Sequence, residues 1–122
     1  MKKDILNSSF VVSMASTIEE AMGAITDNQR GAVFVVDAKG HLIGVLADGD
    51  IRRAMLGGAM LQTPVEKIVN LNPITLTERE VKAGKGDEIF QEEMSFTLLP
   101  VVGAGNVLVD ILVREPKKRK PW

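Results

Sequence analysis

The feature that most constrains this chain is that it repeats itself. Laid over one another without a gap, residues 31–47 and 97–113 match Val35-Val36 to Val101-Val102, Ala38 to Ala104, Leu42 to Leu108 and Leu46 to Leu112. Each copy is an apolar run, a short turn and a second apolar run, the pattern of a β-hairpin. Gly40 in one turn meets Asn106 in the other, and these are the two residue types that best tolerate a left-handed backbone, so the turn chemistry repeats as well. One such unit cannot bury both faces of a small sheet alone. The two are expected to pack against each other as a pseudo-twofold pair.

Upstream of each hairpin the sequence places a strand and a capped helix. Phe10-Val11-Val12 reads as a short strand, and Ser16-Thr17-Ile18-Glu19-Glu20 opens a helix whose Ser16 and Glu19 form a capping box. Ile18, Ala21, Met22 and Ile25 then fall at i, i+3, i+4 and i+7, which marks a buried face, and Asn28 to Arg30 end the helix. Gly31-Ala32-Val33-Phe34-Val35-Val36 is a strand, Asp37-Ala38-Lys39-Gly40 a turn, and residues 42–47 the partner strand. In the second copy Pro73-Ile74-Thr75-Leu76 supplies the strand and Thr77-Glu78-Arg79-Glu80 a capping box. Gly84 and Gly86 interrupt the helix that this box opens, leaving a short turn and a better helix from about Asp87 to Met94. The expected fold is α/β (α+β), with tandem repeats that are each a small three-stranded sheet carrying one or two helices. The first repeat spans 10–58, a linker 59–72, and the second repeat 73–115, degenerate and without its final helix; 116–122 is a basic tail or a linker to a further domain.

Composition excludes several classes of function. With 15 basic and 16 acidic residues the formal charge is −1, so the domain as a whole is no polyanion binder. The run Lys117-Lys118-Arg119-Lys120 has no aromatic interleaving beyond Trp122 and reads as a solvated tail, so no nucleic-acid partner is expected. The absence of cysteine removes disulfides and thiol nucleophiles together and suits a reducing cytoplasm. The apolar runs are too short to span a bilayer, and no secretory pattern follows Met1-Lys2-Lys3-Asp4, so a cytoplasmic location and no membrane partner are expected. His41 is the one histidine and falls in a hairpin turn without a second ligand spaced to help it, so no metal is expected. Gly103-Ala104-Gly105 lies in a hairpin rather than between a strand and a helix, and is no phosphate loop. No nucleophile sits beside a base, so the chain reads as a non-enzyme without a resident cofactor.

One stretch invites a ligand. From Gly44-Val45-Leu46-Ala47 the chain passes through Asp48-Gly49-Asp50 into Ile51-Arg52-Arg53-Ala54-Met55, a strand, a sharp turn and a helix N-terminus that suits an anion. Asp48 is placed to cap the helix. Asp50 is placed to hold a pair of vicinal hydroxyls, with Arg52 and Arg53 offering forked donors to a phosphate. The alternative is that Asp48 caps, Asp50 complements the helix dipole and both arginines lie in water, and residue types alone favour it.

The same stretch resembles the signature of CBS (cystathionine-β-synthase) domains: Gly, two apolar residues, Ser or Thr, two variable residues, Asp. Here it reads Gly44-Val45-Leu46-Ala47-Asp48-Gly49-Asp50. The longer run Asp48-Gly49-Asp50-Ile51-Arg52-Arg53-Ala54 resembles the CBS pairs attached to sugar-phosphate isomerases and sugar-nucleotidyltransferases. The resemblance, to a pair often called a Bateman module, covers about residues 10–113. It implies a regulatory module for AMP, ADP or ATP in which Asp50 holds the ribose. Leu46, Ala47, Asp48, Arg52 and Arg53 complete that side of the site, and adenine is contacted from Gly31-Ala32-Val33 and the opening strand at Val11-Val12. Ala47 lacks the hydroxyl that the family turns toward phosphate. In the second repeat Asp110, Val113 and Pro116 replace the Gly, the hydroxyl residue and the Asp, so one site per chain is expected.

The partner implied is an attached or separate catalytic domain, with a sugar-nucleotidyltransferase foremost. The alternative is a purely structural dimerisation module whose nucleotide site has decayed. Either way a homodimer is expected. The second repeat lacks the counterpart of the helix carrying Ile51, Ala54, Met55 and Leu56, and CBS pairs resemble one another in dimerising through helical faces, here including Met22 or Met55.

Overall fold

A computed structural model describes residues 4–114. The basic tail, Glu115 and Pro116 lie outside the described residues.

The first repeat begins with strand β1 (Val11–Ser13), crosses through helix α1 (Ile18–Asn28) and returns as β2 (Ala32–Val36), which lies parallel to β1. β3 (Leu42–Ala47) then pairs antiparallel with β2, giving a sheet of order β1-β2-β3, and runs directly into helix α2 (Asp48–Leu56). After residues 59–72 come two short helices, α3 (Glu78–Lys82) and α4 (Lys85–Glu92), and the antiparallel pair β4 (Leu98–Val102) and β5 (Leu108–Val113). The expected third strand at residues 73–76 shrinks to one parallel bridge between Leu76 and Val101. Leu76 donates to the Pro100 carbonyl at 3.0 Å and accepts from the Val102 N–H at 2.8 Å; Pro73, with no N–H, cannot extend the ladder.

β2 explains why its sequence is continuously apolar. Its side chains alternate between two cores. Val33 and Val35 join Val12, Ile18, Ile25, Leu46 and Ile51 beneath the helices, whereas Phe34 and Val36 join Val11, Leu98, Leu108 and Ile111 between the repeats. Each such fully buried side chain stabilises the fold by about 1.5–3 kcal/mol relative to exposure. The hairpin tips interlock: Leu108 donates to the Gly40 carbonyl at 3.0 Å, and the Asn106 amide donates to the Leu42 carbonyl at 2.9 Å. Gly40 and Asn106 both adopt positive φ, 85° and 67°, as their alignment in the repeat requires.

The cap of α1 differs from expectation by one residue. Thr17, not Ser16, accepts the Glu20 N–H at 3.2 Å, and Glu20, not Glu19, accepts the Thr17 N–H at 3.0 Å. Both pairs satisfy the spacing; the Ser16 carbonyl is instead used by the Val65 N–H. Ile18, Ala21 and Ile25 are buried as the period demands, while Met22 is 40% exposed. The Thr77–Glu80 box forms as expected. Gly84, at φ 83°, breaks the next helix, but Gly86 lies inside α4 rather than interrupting it, so α4 starts two residues before Asp87. A Cβ at Gly86 would stand 2.5 Å from a Leu112 methyl, so this glycine serves close packing of α4 on β5.

Residues 59–72 are more than a tether. Val65 is fully buried in the helix-side core, and Asn70 exchanges two 3.0 Å hydrogen bonds with Val45. Gly44 permits that approach, because a Cβ there would fall on the Asn70 carbonyl oxygen.

Candidate functional site

The junction of β3 with α2 is built around Asp50. The helix starts at Asp48, so the N-cap is Ala47, in extended geometry at φ −104° and ψ 164°. Ala47 has no side-chain acceptor and only the return half of a capping box forms: one Asp50 oxygen accepts the Ala47 N–H at 2.9 Å. The other accepts an Arg53 Nη2 donor at 2.8 Å. Asp48 is therefore not the cap; its side chain is exposed, with one oxygen beside Gly31, while its N–H donates to the Gly31 carbonyl at 3.0 Å. Held at both oxygens, Asp50 has a fixed orientation and still keeps lone pairs for hydroxyl donors.

Beside this junction a cleft of about 480 Å³ separates the repeats, within the size range of small-molecule sites. Of the residues singled out from sequence, Gly31, Ala32, Ala47 and Asp50 line it. The others do not. Val33 and Leu46 are wholly buried beneath the helices, Val12 lies in the same core, and Val11 is packed between the repeats. Asp48, Arg52 and Arg53 are exposed outside the cleft.

Apart from Val45, which lies within the Gly44–Asp50 signature, the rest of the lining is not marked by any motif in the sequence. Arg30, Phe34 and Val45 extend the first-repeat wall, Asn70, Asn72, Pro73 and Ile74 form a second, and residues 95–100 form a third. The repeat contains the signal for part of this: Phe96, Thr97 and Leu98 are the counterparts of Arg30, Gly31 and Ala32, so the pseudo-twofold sets the two segments facing each other. They touch, since the Thr97 hydroxyl donates to the Arg30 carbonyl at 2.6 Å. The Arg30 Nε is buried without a partner.

The second repeat does not reproduce the junction. Val113 stands where Ala47 does, and the next residue, Arg114, turns back instead of starting a helix among the described residues. Its guanidinium donates to the carbonyls of Phe96 at 2.7 Å, Glu93 at 2.9 Å and Phe90, and stacks on the Phe90 ring at 4.9 Å. It thereby satisfies the open C-terminal end of α4. Asp110, at the place of Gly44, accepts the Ile111 N–H at 2.8 Å.

Elsewhere the chemistry is structural. His41 is half-buried, and its Nδ1 lies 2.9 Å from Asp37, whose other oxygen accepts the His41 and Lys39 N–H groups. The hydrogen bond from the His41 N–H leads in holding the Asp37 carboxyl below its ordinary 3.8, against a smaller opposing effect of burial. Among the described residues no group of three His, Cys, Asp or Glu could hold a metal, and no helix is long and apolar enough to cross a membrane.

Comparison with known proteins agrees with this architecture. A family profile for the CBS domain matches residues 1–57. Arabinose 5-phosphate isomerase GutQ from Escherichia coli strain K12 is 33% identical over 91 residues, which cover 75% of this chain and 28% of that protein. The chain thus spans well under a third of the length of this relative. A CBS-domain protein from Pyrobaculum aerophilum, solved in complex with AMP, superposes with a TM-score of 0.65 at 22% identity, covering 93% of this chain and 87% of that one. The cytosolic domain of the Mg2+ channel MgtE, solved in complex with ATP, superposes with a TM-score of 0.59 at 28% identity, covering 84% of this chain and 41% of that one. With the profile on the first repeat and solved folds spanning both, the chain carries a CBS domain over residues 1–57 and folds as a CBS-domain pair.

Proposed function

We propose that the chain is a regulatory module that binds an adenosine nucleotide, AMP, ADP or ATP, in the cleft between its repeats and relays occupancy to a catalytic domain. The observation that carries this reading is the cleft itself. Gly31, Ala32, Ala47 and Asp50 meet there, beside the N-terminus of α2 and opposite residues 95–100. The ATP complex of the 28% identical MgtE domain supports the ligand class. The likeness to GutQ supports a sugar-phosphate isomerase as the catalytic partner, ahead of the sugar-nucleotidyltransferase expected from sequence. The chain's part is to bind and transmit, in the cytoplasm, with catalysis left to the partner domain.

Self-association belongs to the same proposal. Met22, Met55, Leu56 and Met60 are exposed on and just after α1 and α2 at 40, 37, 82 and 66%, and exposed large apolar side chains on a helical face are the kind of surface that a partner covers. A second copy is the occupant expected from the helical face, burying on the order of 1,200–2,000 Å² in total. Sedimentation at micromolar concentration should return a dimer that Met55→Asp splits with the fold retained; a monomer unaffected by that change refutes it.

Ligand binding is tested by thermal denaturation with AMP, ADP and ATP, where a nucleotide at 100 times its dissociation constant stabilises the fold by about 2.7 kcal/mol. Asp50→Asn keeps an acceptor for the Ala47 N–H and removes the charge, so it should abolish the ligand shift while sparing the fold. Asp50→Ala is a poorer probe because losing the cap costs about 0.5–2 kcal/mol by itself. No shift with any adenosine compound at millimolar concentration would leave the dimerisation module as the better account, one that the absent hydroxyl at Ala47 favours.

A further inference from the structure

Arg30 is the unexplained group of the cleft. It is the one cationic side chain in the lining, and its Nε is buried with no partner among the described residues. Buried donors are nearly always paired, because leaving one unmet forfeits its hydration without return. The other arginines near the site are occupied or turned away: Arg53 is tied to Asp50, Arg52 is exposed outside the cleft, and Arg114 is committed to carbonyls. The ion pairs among the described residues are His41–Asp37, Arg53–Asp50 and Lys85–Glu88, so no carboxylate neutralises Arg30.

The backbone presents this side chain from a fixed place. The Arg30 N–H donates to the Asn28 side chain at 2.7 Å and its carbonyl accepts the Thr97 hydroxyl. On either side Gln29 and Gly31 hold positive φ, 56° and 79°. The cleft therefore offers one guanidinium and one oriented carboxylate, Asp50. These are the groups that a phosphate and a pair of sugar hydroxyls call for.

Resting on the reading that an adenosine nucleotide occupies the cleft, we infer that Arg30 selects the phosphorylated ligand, its forked donors holding the phosphate that Ala47 has no hydroxyl to meet. The site then discriminates nucleotide from nucleoside through a residue outside the Gly44–Asp50 stretch.

Titration calorimetry with adenosine and with AMP tests this on the wild-type chain and on Arg30→Gln and Arg30→Lys. The wild type should bind AMP roughly ten- to a hundredfold more tightly than adenosine, the increment of a hydrogen-bonded charge pair. Arg30→Gln should erase that preference with adenosine affinity unchanged, and Arg30→Lys should retain part of it. Equal binding of AMP and adenosine by the wild type, or equal weakening of both by Arg30→Gln in a protein that still melts cooperatively, overturns the role of Arg30 while leaving the cleft as the adenosine site. If Arg30→Gln does not fold, Arg30→Lys decides by the same ratio, and full preference without the guanidinium fork also overturns it. Failure of the wild type to bind either compound overturns this inference together with the reading beneath it.

Discussion

Gly44→Ala should be among the most damaging single-methyl additions this chain can receive. The new Cβ would land on the Asn70 carbonyl oxygen and 2.8 Å from a Val69 methyl, and one of the two obstacles is backbone. Asn70 must move away, which breaks both 3.0 Å hydrogen bonds that it exchanges with Val45. Each bond contributes about 1 kcal/mol net, and overpacking adds about 1–3 kcal/mol. Alanine returns about 0.4–1 kcal/mol by restricting the unfolded chain, so a net loss of about 3 kcal/mol is expected. At an unfolding entropy of about 2.1 cal/mol/K per residue, that lowers the melting temperature of 122 residues by roughly 12 °C. Gly23→Ala is the matched control. Gly23 lies in exposed α1 with nothing within 4 Å of its would-be Cβ, so the same methyl there should stabilise by about 0.5–1 kcal/mol. Circular dichroism melts of the two variants supply the comparison. A Gly44→Ala midpoint within a few degrees of wild type, or shifted in the same direction as Gly23→Ala, refutes the close-approach argument.

Ala47→Thr gives α2 a side-chain cap and should stabilise the unliganded chain by about 0.5–2 kcal/mol; AMP affinity should rise as well, and an unchanged affinity places the phosphate elsewhere. Arg114→Ala leaves the Phe90, Glu93 and Phe96 carbonyls without their donor, so the end of α4 should lose hydrogen-exchange protection and the fold about 1.5–3 kcal/mol; a midpoint within two or three degrees of wild type sinks this. Because folding lowers the Asp37 pKa, its contribution to stability is intact above the ordinary 3.8 and is lost as pH falls through the lower folded value. Asp37→Asn should accordingly be less stable than wild type at neutral pH and indistinguishable from it in strong acid, which denaturant titrations at several pH values will show or deny.

The hairpins are legible in the sequence because both signals are local: apolar runs of strand length and turn residues with matching left-handed tolerance. Legibility ends where two local solutions are equally good. Ser16-x-x-Glu19 and Thr17-x-x-Glu20 both satisfy a capping box, and only the docking of residues 59–72, whose Val65 takes the Ser16 carbonyl, separates them. Asp48, expected from sequence to cap α2, does not, because α2 starts one residue earlier than an Asp48 cap allows. The cleft is half visible. Gly31, Ala32, Ala47 and Asp50 belong to one contiguous hairpin and turn, which Arg30 directly precedes, whereas Asn70 and residues 95–100 reach it only through packing onto the first repeat, which leaves no periodic trace. Val33 and Leu46 sit in the helix-side core rather than the cleft, which the sequence hides because β2 and β3 carry no polar residue to show which positions face which side.

The repeat that makes the fold symmetric also shows why its site is not. Arg114 occupies the position of Asp48, one residue beyond the end of each hairpin. In the first repeat the chain there begins a helix, so amide groups and the positive end of a dipole face the region of the cleft, with Asp50 fixed across the turn. In the second repeat the same position sends a cation back onto the carbonyl end of α4 and consumes it. Two structurally equivalent strand ends thus carry opposite electrostatics. Arg114 also grips Phe96, whose neighbour Thr97 grips Arg30, so the second repeat's part is to hold the far wall of the cleft rather than to build a second one. Among the described residues the backbone pseudo-twofold therefore carries one helix-terminated junction, which stands beside the cleft in the first repeat while the second repeat braces the opposite wall.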